Sequence, residues 1–262
     1  MKKKNKLLMY SLTLVIIFAV FLGLKKIIAF ASVKPEIEEP SFVKSNDLLI
    51  GRNQSDIKIA EEDYYKLPVP LINQMSEPSL KYGCEVTALS MLLHYYQFEY
   101  DKNQLQEAID KEPYQDAAGY LGDPDSGFVG DATGQKAGTG VNVGPIEKLA
   151  KKHVEKTHEV VNSSGLSMDE LLSLVKEGTP IWVVVTIDYT VPTEKDFMDW
   201  QTRNGVKQVT FKHHAAVITG FDAKQVFLND AYGKEVRVDK HAFNQIYTKM
   251  GSQSLYIEKM MR

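Results

Sequence analysis

The chain has 262 residues, with 31 basic and 34 acidic side chains, a net charge of −3 and a single cysteine. This near-balance of charge provides no basic surface for nucleic acid, so we expect no nucleic-acid partner. One cysteine excludes both a disulfide within the chain and a metal cluster built from several cysteines.

The N-terminal segment, residues 1–31, has the pattern of a membrane anchor or signal sequence. Four lysines precede residues 7–24, which carry no charge. As a helix, this run would span ~27 Å, close to the ~30 Å of a bilayer core. The basic end should stay in the cytoplasm, which predicts that everything after the run lies outside the cell and is held at the membrane by this helix.

Cleavage of this segment is the alternative fate. Ala29-Phe30-Ala31 has the small-x-small form of a signal-peptidase site, and cleavage near Ala31 would release the rest of the chain. The apolar run is longer than a usual signal core, and Lys25 and Lys26 separate it from the site. We therefore expect an uncleaved anchor.

The rest of the chain divides into a linker and one domain. Residues 32–65 are acidic and polar with poor apolar periodicity, which is typical of an extracytoplasmic linker. Residues 66–262 are long enough to bury one hydrophobic core.

The first part of this domain predicts helices. Residues 67–74 are predicted to form an edge strand, because Pro68 and Pro70 cannot donate to a ladder. Residues 84–97 carry an apolar stripe with helical spacing. Asp101 with Gln104, and Ser167 with Glu170, resemble capping boxes of two further helices. Residues 119–144 are rich in glycine and predict an irregular loop.

The second part predicts strands. Residues 181–187 form a β-branched run of the kind found in strands buried on both faces. Shorter strands are predicted at 206–211, 214–221, 225–230 and 235–238. N-terminal helices followed by an antiparallel sheet indicate an α+β domain. Residues 188–205, between two of these strands, could form a lid or a substrate-side insertion.

Cys84 is the candidate nucleophile. It lies at the start of a predicted helix, where the helix dipole would lower the thiol pKa. A cysteine nucleophile also needs a histidine base and a polar residue that orients the imidazole. His213 or His214 could be the base, and Asn229 or Asp230 could orient it. Side chains alternate along a strand, so only one residue of each pair can face the cysteine.

Several motifs together resemble the extracytoplasmic branch related to the bacteriocin-processing, double-glycine-leader peptidases of the papain-like superfamily. They are Asn73-Gln74, Tyr82-Gly83-Cys84-Glu85-Val86-Thr87-Ala88, Gly127-Phe128-Val129-Gly130-Asp131, His214-Ala215-Ala216-Val217-Ile218 and Leu228-Asn229-Asp230. The resemblance covers residues 67–258 and implies a papain-like cysteine peptidase acting on a peptide or protein substrate. It places the nucleophile on Cys84, the base on His214, the orienting acid on Asp230 and the oxyanion donor on Gln74.

One departure leaves the substrate open. Better-known members are fused to a membrane transporter and process leader peptides in the cytoplasm, whereas this chain carries no transporter domain and is predicted to lie outside the cell. Two alternatives therefore remain beside hydrolysis. They are an acyl-transferring enzyme of the same fold that modifies envelope peptides, and a non-catalytic binding module. The oligomeric state is open as well.

Other polar and aromatic residues have ordinary explanations. Glu85 lies in the first helical turn, where a carboxylate interacts favourably with the dipole, and His213 is expected to be solvated or at a strand edge. Asp123, Asp125 and Asp131 could suggest calcium, but their spacing is not that of an EF-hand and turn formation explains them, so we expect no metal or cofactor. Core packing is the default role of aromatic residues such as Tyr189.

Overall fold

A computed structural model describes residues 64–260, which form an α+β domain around a seven-stranded sheet. The helices are α1 (Cys84–Tyr95), α2 (Lys102–Ala108), α3 (Val143–His153), α4 (Met168–Lys176) and α5 (Lys240–Lys249). The strands are β1 (Tyr65–Lys66), β2 (Lys111–Glu112), β3 (Phe128–Gly130), β4 (Gly138–Gly140), β5 (His158–Asn162), β6 (Ile181–Thr186), β7 (Met198–Thr202), β8 (Gly205–Val209), β9 (His213–Phe221), β10 (Gln225–Asp230), β11 (Lys234–Asp239) and β12 (Ser254–Lys259). The predicted anchor, residues 7–24, lies outside the described residues.

The main sheet is antiparallel, with strand order β11-β10-β9-β6-β12-β5, and β1 also pairs with β9. All six residues of β6 are buried, as the β-branched run predicts. The long strand β9 pairs with β6 on one side and β10 on the other, and helices α1 and α4 pack against it. The core therefore places the start of α1 against β9.

Both predicted capping boxes are present. The Asp101 side chain accepts from backbone N–H groups in the first turn of α2, and the Gln104 side-chain oxygen accepts from the Asp101 backbone N–H. Ser167 and Glu170 make the same reciprocal pair at α4. These local bonds satisfy backbone donors that would otherwise lack partners, which is why the sequence pattern identifies these helix starts.

The helices and strands predicted from the sequence differ from the structure in three places. Residues 67–74 do not form a strand, and only Asn73 makes an isolated bridge, to Tyr232. Strands β5, β7 and β12 were not predicted, and β5 precedes α4, so helices and strands are interleaved. Within residues 119–144, the short strands β3 and β4 form part of a small separate sheet. The α+β class with a large antiparallel sheet is confirmed.

None of the helices between residues 64 and 260 has both the length and the apolar character that crossing a membrane requires.

Candidate functional site

Cys84 is the first residue of α1 and is buried. Gly83 precedes it as N-cap, and no side chain caps this helix. The N–H groups of a first helical turn have no partners within the helix. The backbone N–H of Cys84 therefore lies beside its own thiol, where it can bind a negatively charged oxygen.

Gln74 is held by the segment that leads into α1. Its backbone N–H donates to the carbonyl of Ala231 (2.7 Å), and its carbonyl accepts from the N–H of Leu80 (2.8 Å). Its side-chain Nε2 donates to the carbonyl of Lys81 (2.9 Å), three residues before Cys84. A side-chain amide has two N–H donors, so one remains for another acceptor. These bonds tie Gln74 to the stretch before the thiol and to the end of β10.

His214 and Asp230 lie on neighbouring strands and face each other. His214 Nε2 lies 3.2 Å from Asp230 Oδ2, and both side chains are buried. Asn229, the alternative to Asp230, points elsewhere and donates from Nδ2 to the carbonyl of Val69 (2.8 Å). Because Nε2 is engaged with the carboxylate, Nδ1 is the ring nitrogen left to accept a proton.

Two further donors hold the Asp230 carboxylate. The hydroxyl of Tyr189 donates to Oδ2 (2.5 Å), and the backbone N–H of Tyr232 donates to Oδ1 (2.6 Å). Burial acts to raise the pKa of Asp230, but the hydrogen bonds and the nearby imidazole of His214 outweigh it and hold that pKa below its usual range. Asp230 is therefore a stable carboxylate partner for His214.

The thiol and the His214–Asp230 pair belong to one site. The Cys84 thiol is hydrogen-bonded to the backbone of Ala215, the residue after His214. Burial raises the pKa of Tyr232, and the neighbouring charges of Cys84 and Asp230 raise it further. The Tyr232 ring stacks on His214 with centroids 5.5 Å apart. Cys84 thus lies beside the ring cluster that surrounds His214.

The thiol pKa is shifted in the direction opposite to the sequence-based expectation. Burial raises the pKa of Cys84 well above its ordinary value, and the neighbouring Glu85 carboxylate raises it further. Backbone hydrogen bonds from Ala215 and Cys84 itself act to lower the pKa but do not compensate. Burial and the Glu85 carboxylate therefore both favour the protonated thiol over the thiolate.

Glu85 and His213 form a second buried contact next to the site. Glu85 is fully buried, and its Oε1 lies 3.2 Å both from the N–H of Val141 and from His213 Nδ1. The ring of His213 is not aligned for a hydrogen bond at that distance, and both of its nitrogens are buried. The expected dipole interaction of Glu85 did not include this contact with His213, which forms because the Glu85 side chain is fully buried. His213 is the first residue of β9, and its side chain is 13% exposed.

A cavity of about 260 Å³ lies beside His213. Its other lining residues come from the β4–α3 junction (139–142), from β8 and the turn after it (207–210) and from the end of α5 (249–251), together with Pro124, Phe197 and Gln253. None of the four predicted site residues lines it.

The aspartates of the glycine-rich loop bind neighbouring protein groups. Asp125 accepts from Lys207 Nζ (2.7 Å) and Asn142 Nδ2 (2.6 Å), and Asp131 accepts from the backbone of Thr133 (2.9 Å). Among residues 64–260, no group of three or more histidine, cysteine, aspartate or glutamate side chains is placed to hold a metal ion.

The arrangement of a helix-borne thiol facing a histidine–carboxylate pair on a sheet agrees with the motif resemblance. The model of the Peptidase_C39 like family matches residues 66–255. The chain belongs to this family. Membership of the Peptidase_C39 like family points to a cysteine peptidase, and it confirms the resemblance drawn from the motifs.

The chain is also similar to individual proteins. An uncharacterized Bacillus subtilis protein, YvpB, is 38% identical over 194 residues, which cover 74% of this chain and 76% of that protein. The crystal structure of a candidate C39-like peptidase from Bacillus anthracis is 34% identical, with a TM-score of 0.72, and covers 77% of this chain and 100% of that chain. A double glycine motif protease from an AMS/PCAT transporter, solved with its leader peptide, is 17% identical with a TM-score of 0.42; it covers 77% of this chain and 97% of that chain. At that distance the likeness carries no argument about this chain.

The structure also places residues at the site that the motifs did not identify. Tyr189 contacts Asp230, and Glu85 is buried beside the thiol. The only sequence indication for Tyr189 was its position in the long segment between two strands. For Glu85 the indication was its place next to the cysteine, since burial depends on what α1 packs against.

Proposed function

We propose that the chain is an extracytoplasmic cysteine peptidase that hydrolyses peptide bonds through Cys84, His214 and Asp230, with Gln74 in the oxyanion hole. Two features observed together carry the proposal. The buried His214 imidazole lies 3.2 Å from the Asp230 carboxylate, and the Cys84 thiol is hydrogen-bonded to the backbone of Ala215, the residue after His214. This is the constellation that nucleophilic catalysis by cysteine requires.

Each residue has one step in the proposed reaction. Asp230 accepts the Nε2–H of His214 and so leaves Nδ1 free as the base. Nδ1 takes the thiol proton as Cys84 Sγ attacks the peptide carbonyl, and the same proton then passes to the departing amine. The resulting thioester is hydrolysed by water, which restores the thiol and releases the second product as an acid.

Two donors support the negative charge that develops on the carbonyl oxygen. The backbone N–H of Cys84 lies at the uncapped start of α1, and Gln74 has a second side-chain N–H beyond the one bound to Lys81. Donors that are already fixed in place stabilise the tetrahedral intermediate without reorganisation. The hydrogen bonds that hold Gln74 on both sides support this role.

The proposed location outside the cell rests on the sequence. Lysines before the uncharged run of residues 7–24 favour an orientation with the catalytic domain beyond the membrane. A peptide or protein exposed there is the proposed substrate class.

The test compares wild type with Cys84→Ala on a proteome-derived peptide library, with new peptide termini detected by mass spectrometry. The wild type should generate new termini, and Cys84→Ala should generate none while keeping the wild-type circular dichroism spectrum. Added amine nucleophiles would reveal acyl transfer as amide products. A Cys84→Ala variant that remains active would refute the proposal.

The adjacent residues His213 and His214 allow a matched test of which histidine is the base. His214→Gln should lower kcat by ~10²- to 10⁴-fold, which is the usual contribution of a general base. His213→Gln removes the same ring one position away, where it does not face Asp230, and should retain measurable turnover. Equal losses in the two variants would contradict the assignment of His214.

A further inference from the structure

Tyr189 makes the shortest of the hydrogen bonds to the Asp230 carboxylate. Its hydroxyl lies 2.5 Å from Oδ2, the same oxygen that faces His214 Nε2 at 3.2 Å. Its ring stands edge-on to the His214 ring, with centroids 6.5 Å apart and an interplanar angle of 90°. Tyr189 therefore contacts both members of the imidazole–carboxylate pair.

Local hydrogen bonds and an ion pair fix the backbone around Tyr189. Its φ of 53° lies in the left-handed region, which is uncommon for a bulky side chain. The N–H of Tyr189 donates to the carbonyl of Thr186 (3.0 Å), and the Thr186 hydroxyl donates to the carbonyl of Thr190 (2.8 Å). Lys212, directly before β9, pairs with Asp188 at 3.2 Å. An unfavourable backbone conformation persists only where surrounding contacts enforce it, and such positions cluster at functional sites.

We propose that Tyr189 is a positioning residue that fixes the Asp230 carboxylate and, through it, the orientation and proton affinity of His214. This inference rests on the proposed function. The Tyr189 hydroxyl and the Tyr232 N–H hold one carboxylate oxygen each, so the group cannot rotate and Oδ2 stays aimed at His214. The hydroxyl also offsets part of the carboxylate charge that His214 experiences.

Tyr189→Phe tests the role because it removes only the hydroxyl. We expect kcat to fall ~10-fold with little change in KM, since a hydrogen bond to a charged group is lost without loss of substrate contact. Without the Tyr189 hydroxyl, the full negative charge of the Asp230 carboxylate should act on His214. The His214–Asp230 pair should then bind a proton more tightly. The acidic limb of the kcat/KM profile should therefore move to higher pH.

Tyr95→Phe is the matched control. The Tyr95 hydroxyl donates to the carbonyl of Gly178 (2.9 Å), so this variant also loses one partly buried tyrosine hydrogen bond, but at a position outside the site. Both variants should lose a similar, small amount of thermal stability, and Tyr95→Phe should keep the wild-type pH profile. If both variants show the same kcat and the same acidic limb, Tyr189 is only structural.

A second measurement does not depend on turnover. Ring-labelled histidine NMR, with the His214 signals assigned by their loss in His214→Gln, reports the imidazole directly. In Tyr189→Phe the His214 titration midpoint should rise, while in Tyr95→Phe it should not. An unchanged midpoint in Tyr189→Phe would overturn the proposal. If the wild type cleaves no peptide, the peptidase assignment fails while this measurement still decides the role of Tyr189.

Discussion

The side chain of Glu85 helps to raise the pKa of the neighbouring thiol. Glu85 is fully buried and follows Cys84 directly in α1. After burial itself, its carboxylate is the largest cause of the raised pKa of Cys84, through both its charge and a hydrogen bond to the thiol. A negative charge near a thiol disfavours the thiolate, so Glu85 favours the protonated form of Cys84.

Replacing Glu85 with glutamine should lower the thiol pKa. The sign follows from the cause: the carboxylate raises the pKa of Cys84, so a neutral amide of similar shape removes that contribution. The pH range in which iodoacetamide alkylates Cys84 should then move to lower pH, with faster alkylation at pH 7. The measurement is the alkylation rate as a function of pH, followed by intact mass.

Glu107→Gln is the control, because Glu107 is exposed on α2. It should leave the alkylation profile of Cys84 unchanged. A Glu85→Gln profile that coincides with wild type, or moves to higher pH, would show that Glu85 does not influence the thiol as described.

For individual residues, the sequence identified the candidate catalytic side chains but not the groups that surround them in the structure. Cys84 at a helix start correctly predicted the place of the thiol, and the helix dipole alone suggested a lowered pKa. The structure adds burial and the adjacent Glu85 carboxylate, and both raise the thiol pKa instead. Burial of Glu85 depends on β9 and on Val141, which are distant in the chain.

The junction between the Gln74 segment and α1 depends on Gly83. A Cβ at this position would lie 2.5 Å from the Cβ of Leu80, closer than real side chains approach. Leu80 is buried and its carbonyl accepts the N–H of Gly83 (3.0 Å), so neither residue can move easily. The absence of a side chain at Gly83 therefore allows Cys84 to begin the helix at this point.

Gly83→Ala should destabilise the domain by ~1–3 kcal/mol through overpacking. It should also reduce peptidase activity, because the start of α1 must shift and carries Cys84 with it. Chemical unfolding and turnover measure the two effects.

Gly144→Ala provides the comparison, since Gly144 also lies in the first turn of a helix. A Cβ there would meet only the carbonyl of Asp125, at 3.9 Å. Alanine should be neutral or stabilise α3 by up to ~1 kcal/mol. Equal stability changes in the two variants would show that the contact with Leu80 is not the cause.

Elements with a strong local pattern were predictable and the others were not. Residues close together in the sequence define the capping boxes, the apolar stripe of α1 and the buried run of β6. The structure confirmed the positions of these elements within a few residues. Residues 67–74 were wrongly predicted as a strand. Strands β5 and β12 are short and are defined by pairing with each other and with β6, so only the tertiary structure reveals them.

For the whole molecule, the proposed location makes a separate prediction. In a bacterial host, the full-length protein should sediment with membranes, and an impermeant protease added to intact cells should digest the domain. A variant without residues 7–24 should stay inside the cell and be protected. The physical reason is that an uncharged run of this length should partition into the bilayer, with the lysines that precede it kept in the cytoplasm.

Intact mass distinguishes the two fates of the N-terminal segment. A mass that retains residues 1–31 supports the anchor, and a mass that begins near Ser32 indicates cleavage and release. Protection of the full-length domain in intact cells would contradict the external location itself.

The sequence by itself determined the α+β class, the family and the candidate nucleophile, because these follow from short patterns and local motifs. Alternation along strands showed that only one of His213 and His214, and one of Asn229 and Asp230, could face the thiol. The motif resemblance then favoured His214 and Asp230. Only the tertiary structure shows these two side chains in contact, Glu85 buried against His213 and Tyr189 bonded to the Asp230 carboxylate. The physical reason is that burial and hydrogen bonding at the site depend on packing between α1, β9 and β10, whose residues lie far apart in the chain.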